Sequence, residues 1–205
     1  MRTPAGYRRI IAYGETGSGK TRILKAEADR YARAGGEVWS LDLRKQLPKP
    51  LKGMRIRPAD DMDWSAEAPF AEYVNAWCAH ALATAQARGF GMLLVIDETD
   101  LAIKPGAGLK GVPPALTRVV MQGRGHGVSY ALAVRIPVEI PPVLRSQAED
   151  LYLFRQTEPR YVAWMRERGV PDLPPIDSLP VGAYWHVRAG RLPHLHPHLF
   201  TPCGN

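Results

Sequence analysis

Apolar residues along this chain gather into short runs, parted by connectors rich in glycine and proline. The first run, YRRIIAY at 7–13, is rich in β-branched residues and stops at Gly14, which predicts a buried strand. From Lys20 to Ala34, Ile23, Leu24, Ala28 and Tyr31 recur at helical spacing, and Gly35–Gly36 ends that helix. EVWSLDL (37–43) reads as a second strand, and MRIR (54–57) as an edge strand after a Pro/Lys-rich connection. The Ala-rich stretch from Pro69 to Arg88 reads as a helix closed by Gly89. MLLVI (92–96) is the most apolar run and predicts a central strand. After a glycine-rich loop, a short helix from Ala115 to about Gln122 gives out in GRGHG. SYALAV (129–134) and DLYLF (150–154) are further strands, with a helical turn at PPVLRSQ between them. Thr157 is the expected N-cap of a helix that carries Pro159 in its first turn and ends at Gly169. AYWHVRAGRLPHLH predicts a hairpin turning at Ala189–Gly190. Strands alternating with helices predict an α/β fold: a mainly parallel sheet, helices on both faces, and a C-terminal β-hairpin.

Composition narrows this without redirecting it. The 205 residues are 45% hydrophobic and 23% charged, which suits one globular domain over 1–205, with hairpin and tail from about 181. The apolar runs are too short to span a bilayer, and MRTPAGYRRI has no apolar h-region, so neither a membrane span nor secretion is expected. Cys78 and Cys203 lack metal-site spacing and suggest no disulfide framework, in keeping with a reducing cytosol. The net charge of +7 is concentrated in two acid-free windows. One holds Arg44, Lys45, Lys49, Lys52, Arg55 and Arg57; the other holds Lys104, Lys110, Arg118, Arg124 and Arg135. Such windows either meet a polyanion or form a solvated basic surface.

The loop after the first strand adds chemistry. YGETGSGKTR (13–22) contains Gly14, Glu15, Thr16, Gly17, Ser18, Gly19, Lys20 and Thr21, which fit G-x-x-x-x-G-K-S/T and lead into Arg22. Between a strand and a helix, this pattern points several backbone N–H groups at phosphate oxygens and adds the positive end of the helix. Lys20 then reaches the β and γ phosphates of ATP, and Thr21 offers its hydroxyl to Mg²⁺. The second signal is GMLLVIDETD, an apolar strand tipped by Asp97 and Glu98. Asp97 is the candidate for the Mg²⁺ shell and Glu98 for polarising the attacking water.

The order of these motifs resembles the FtsK–HerA superfamily of DNA-pumping ATPases, within the additional-strand, catalytic-glutamate class of P-loop proteins. The stretch GRGHGVSYALAVRIPVEIPPVLRSQAEDLYLFR (123–155) and the LPVGAYWHVRAG hairpin carry that resemblance most specifically. It implies a RecA-like P-loop NTPase core that works as a ring of identical subunits, a hexamer, and moves double-stranded DNA. It makes Arg124 the finger that reaches a neighbour's nucleotide, or else a loop arginine facing DNA or solvent, with Arg155 as a second candidate finger. Where the family has a sensor glutamine this chain has Arg135, either a γ-phosphate sensor or the partner of an acid such as Glu139. The size resembles that of the genome-packaging ATPases of membrane-containing icosahedral viruses. That implies capsid vertex proteins as partners and a place in the host cytoplasm or at the packaging vertex of a virion. Phage-assembly or conjugation-type coupling ATPases, and a slow nucleotide-gated binding protein, are the alternatives; a small-molecule kinase fits the Asp97–Glu98 pair and the 123–155 stretch poorly.

Other residues modify this picture less. Lys104 and Lys110, in the Gly-flanked loop after Glu98, either track DNA phosphates or sit on a mobile surface loop. His194, His196 and His198 alternate as strand neighbours, but Pro193 and Pro197 interrupt them, and exposed tail histidines are expected rather than a metal site. Trp39, Trp77 and Trp164 are expected in the core or at a subunit interface.

Overall fold

The computed structural model describes residues 6–41, 56–58, 70–89, 91–168, 176–188 and 190–197. Pro69, Gly169, Ala189, His198, Cys203 and, in the first basic window, Arg44, Lys45, Lys49, Lys52 and Arg55 lie outside them. The strands are β1 (Arg9–Tyr13), β2 (Glu37–Leu41), β3 (Ile56–Pro58), β4 (Met92–Ile96), β5 (Val128–Val134), β6 (Asp150–Phe154), β7 (Tyr184–Arg188) and β8 (His194–His196). The helices are α1 (Lys20–Arg33), α2 (Phe70–Arg88), α3 (Pro114–His126), α4 (Pro142–Arg145) and α5 (Pro159–Arg168).

The strands form one sheet in the order β3-β2-β4-β5-β1-β6-β7-β8. β3 to β6 pair in parallel, and β7 and β8 add the antiparallel hairpin. Every residue of β4 and β5 is buried, as parallel strands covered on both faces require. β3 is the edge strand that the sequence suggests, and β4 lies well inside the sheet.

The pleat divides the core in two. On one face Ile11, Trp39, Leu94 and Tyr130 pack with Trp77 and Leu116 of α2 and α3. On the other, Ile10, Val38, Leu93, Ala131 and Phe154 pack with Leu24 and Ala28 of α1. Trp39 and Trp77 are core residues with ring centroids 5.3 Å apart. Trp164 is half-buried, edge-on to Tyr13 at 5.5 Å and under the Arg145 guanidinium at 4.6 Å.

Three expectations about local structure are corrected. α3 runs on through the glycines to His126 and is capped by Gly127, so Arg124 sits in a helical turn and not in a loop. Gly123 lets that turn lie against β5, because a Cβ there would be 2.4 Å from the Val128 carbonyl oxygen. Thr157 is not the N-cap of α5: its hydroxyl donates to Glu15 Oε2, and Glu158 Oε2 accepts the Tyr161 N–H instead. His196 is not simply exposed but stacks on Tyr184, centroids 4.6 Å apart.

Ionic contacts tie the hairpin to the sheet at the N-terminal ends of β1 and β6. Asp150, 1% exposed, accepts from His186 Nε2 at 2.8 Å and lies 3.2 Å from Arg8 and 3.6 Å from Arg188. Glu27 of α1 binds Arg8, Arg30 and the Tyr152 hydroxyl. Burial pulls the Asp150 carboxyl upward, but His186, Arg8 and Arg188 outweigh it and hold it below the usual carboxylate range. Burial, with His194 and His196's other neighbour His186, lowers the His196 pKa, so the fold favours neutral His196. Both groups have folded values below their unfolded ones. Each therefore adds stability that is full above the ordinary value and is lost as the pH falls from there through the lower folded value. The melting temperature is expected to fall as pH drops from about 7 to below about 4, first through the histidine range and then through the range beneath the ordinary carboxylate value. In scanning calorimetry, Asp150→Asn should melt lower at neutral pH and lose less over the carboxylate range.

Candidate nucleotide site

Gly14–Thr21 leaves the C-terminal end of β1 and enters α1, and its base is pinned on both sides. Gly14 N donates to Val134 O of β5 at 3.3 Å, and Glu15 N donates to Arg155 O, just past β6, at 3.0 Å. Gly14 has a φ of 155°, and a Cβ on it would come within 2.7 Å of Phe154 Cβ and Ser18 Oγ. Only glycine fits that approach. A third support comes from the hairpin root, where Gly182 N donates to Ser18 O at 3.0 Å.

This loop presents donors. Gly19 caps α1 without a side-chain hydrogen bond. The main-chain N–H groups of Gly17, Gly19, Lys20 and Thr21 make no backbone hydrogen bond among the described residues. They lie at the positive end of a helix of 14 residues. Lys20, 7% exposed, folds its Nζ onto Gly14 O and Glu15 O, both at 2.8 Å. Desolvation lowers its pKa, against the pull of Asp97 and Asp100. Thr16 and Gly17 of the loop and Arg22 in the first turn of α1 are exposed.

The acid pair faces the loop although a strand separates them. β5 lies between β1 and β4, yet the Thr21 hydroxyl donates to Asp97 Oδ2 at 2.6 Å. Asp97 Oδ1 accepts the Glu98 N–H at 3.0 Å. A hydroxyl and a carboxylate joined at a phosphate-type loop are hard oxygen donors, a set that fits Mg²⁺. Glu98 has a φ of 53°, and among the described residues it is the one non-glycine with positive φ. Such strain costs about 1 kcal/mol and gathers at functional positions.

Arg135 directly follows β5, the strand between the one that leads to the loop and the one that carries the acid pair. Its partner is Asp100 and not Glu139. The Asp100 carboxylate accepts from the Arg135 main-chain N–H at 3.1 Å and from its Nε at 3.3 Å. Gln156 Nε2 donates to the Arg135 carbonyl at 3.2 Å. Arg155 donates from Nε to Glu15 Oε1 at 2.5 Å, so its guanidinium is engaged on its own phosphate loop. Arg124 lies beyond the N-terminal ends of the strands, whereas Gly14–Thr21 lies beyond their C-terminal ends. It does not reach the site of its own chain. Lys104 and Lys110 are exposed on a closed loop, with Lys104 N donating to Gly111 O at 2.8 Å.

No protein-family model matches this sequence, and no curated protein sequence does. Solved structures do. The genome packaging NTPase B204 of Sulfolobus turreted icosahedral virus 2, in complex with AMPPCP, superposes with a TM-score of 0.73 at 15% identity, covering 97% of this chain and 100% of that one. The chain shares the fold of that NTPase. The cytoplasmic domain of the Thermomonospora curvata Type VII secretion ATPase EccC shares this fold at 12% identity and a TM-score of 0.62, over 92% of this chain and 23% of that one. The pCW3 conjugation coupling protein TcpA does so at 16% identity and a TM-score of 0.54, over 90% and 58%.

Sequence reasoning missed Asp100, Gln156, Thr157 and Gly182. A third acid in the DETD run and a glutamine directly after the Arg155 strand end were visible signals for the first two. The Thr157–Glu15 and Gly182–Ser18 contacts join residues far apart in the chain and left no local trace. Lys20→Ala is expected to weaken ATP binding ~10- to 100-fold, the value of one or two charge-assisted hydrogen bonds, in calorimetric titration with the fold intact by circular dichroism.

Proposed function

We propose that this chain is an ATP-hydrolysing translocase of double-stranded DNA, of the viral genome-packaging kind, acting as a hexameric ring. The observation that carries the reading is the Thr21–Asp97 contact, which joins the phosphate loop to the acid-tipped strand across an intervening strand. The likeness to a genome packaging NTPase over 97% of the chain supports the DNA substrate. Ring assembly is supported by Arg124, which lies at the opposite end of the sheet from its own phosphate loop. In this reading the proteins of a capsid vertex are partners, and the packaging vertex or the host cytoplasm is the place of action. The likeness to TcpA supports a conjugation-type coupling ATPase as a second reading.

The residues divide the work by position. The loop amides and Lys20 bind the β and γ phosphates, with Lys20 exchanging two carbonyl partners for phosphate oxygens. Thr21 and Asp97 hold Mg²⁺, whose charge offsets that of the phosphates. Glu98 accepts a proton from the water whose oxygen bonds to the γ-phosphorus. The bond from that phosphorus to the β–γ bridging oxygen breaks, and ADP and phosphate leave. Arg124 of the neighbouring subunit stabilises the charge that gathers on the phosphoryl oxygens. Lys104 and Lys110 track DNA phosphates without reading bases.

Duplex DNA is expected to raise the ATPase rate of the wild type, and an unchanged rate would favour a nucleotide-gated binding protein. Glu98→Gln should bind ATP normally and hydrolyse it ~100- to 10,000-fold more slowly, as loss of a general base requires; normal turnover would remove Glu98 from that role. Arg124→Ala and Lys20→Ala should each be inactive alone and regain part of the rate when mixed, because one supplies the phosphate loop and the other the arginine.

A further inference from the structure

Arg135 is held in an unusual way for a cation that faces a phosphate loop. The Asp100 side chain is 1% exposed and takes both the main-chain N–H and the Nε of Arg135. Its two terminal nitrogens make no hydrogen bond or ion pair with any described residue. The side chain is one-third exposed, so the fork is not sealed in the core. From the other side, Gln156 fixes the carbonyl of the same residue. Lys20 senses Arg135 as a repelling charge, and Asp97, Asp100 and Glu98 as attracting ones. Two cations held within each other's field on one side of a phosphate loop suit an anion placed between them.

Asp100 also has a second connection. It belongs to the 3-10 turn Thr99–Ala102, directly after Glu98, and its carbonyl accepts the Ile103 N–H at 3.2 Å. That turn feeds the loop closed by the Lys104 N–H and the Gly111 carbonyl. A pull on the Asp100 carboxylate therefore acts at the foot of the segment that carries Lys104 and Lys110.

We infer that Asp100 is a positioning residue: it aims the terminal nitrogens of Arg135 at the terminal phosphate, and it passes the displacement of Arg135 to the 101–111 loop. The inference rests on the reading of Gly14–Thr21 as an ATP site, and it concerns how triphosphate is told from diphosphate. A pair that served only the fold would affect both nucleotides alike.

The test uses the full chain, with a fluorescent ATP analogue, ADP and ATPγS. Wild type is expected to prefer the triphosphate by at least ~10-fold, the value of one charge-assisted hydrogen bond. Asp100→Asn should lose that preference while its ADP affinity stays within about twofold, and the double variant with Arg135→Ala should be no worse than either single. Should Asp100→Asn fail to fold, Asp100→Glu and Arg135→Lys take its place. Glutamate keeps the charge and should retain part of the preference; lysine lacks the Nε fork and should lose it. Hydrogen exchange supplies the second readout. ATPγS, and not ADP, should change the exchange of amides 101–111 in the wild type and leave them unchanged in the Asp100 variant. Retained triphosphate preference in Asp100→Asn or Arg135→Lys, additive losses in the double variant, or an equal loop response in wild type and variant would each overturn the inference. A wild type that binds neither nucleotide would instead overturn the ATP-site reading on which it stands, and the inference with it.

Discussion

One hydrogen bond, from a threonine on the first turn of α1 to an aspartate at the tip of β4, sets the condition on everything near it. It spans the width of β5, so the sheet must insert that strand between β1 and β4, and the three strand ends must finish near one another. The registers do this: Tyr13 lies beside Val134 and Ile96 beside Leu132, so β4 stops two residues short of β1 and Asp97 follows directly on its end. A shift by one residue would reverse every side chain on the shifted strand and part the hydroxyl from the carboxylate. The apolar runs of β4 and β5 are thus both the core of the fold and the ruler that sets the site.

The phosphate loop depends on its surroundings as much as on its own glycines. β5 holds Gly14, the end of β6 holds Glu15 through both main chain and Arg155, and the hairpin root holds Ser18. Each contact removes a way for the loop to collapse, so the amides of Gly17, Gly19, Lys20 and Thr21 stay without a backbone partner among the described residues. The strained backbone at Glu98 fits the same pattern. An L-residue keeps a positive φ where neighbours on both sides over-determine it, here by the Asp97 side chain before it and the Thr99–Ala102 turn after it.

Much of this was legible in the sequence because it is written locally. The strand–glycine–helix order, the apolar strand with two acids and the hairpin each depend on residues a few places apart, and the structure places them as expected. Element ends were less legible. GRGHG looks like a loop because glycine is a poor helix former, yet α3 crosses it, since Gly123 allows close packing that pays for the weak propensity. Partner choice was least legible. Arg135 has Glu139 four residues on, but the chain turns away after β5, and the acid that faces it comes from another strand end, 35 residues earlier. Charge pairs across a sheet follow strand order, which a single sequence does not spell out.

The link between Gly182 and Ser18 has a consequence for how the molecule comes to be. Translation finishes the glycine loop early, but its seat is built from Arg155 and Gly182, which leave the ribosome far later. Until then the loop has its sequence without its shape. Newly made chains therefore lack these supports of the loop through most of their synthesis, and the supports arrive only with Arg155 and Gly182.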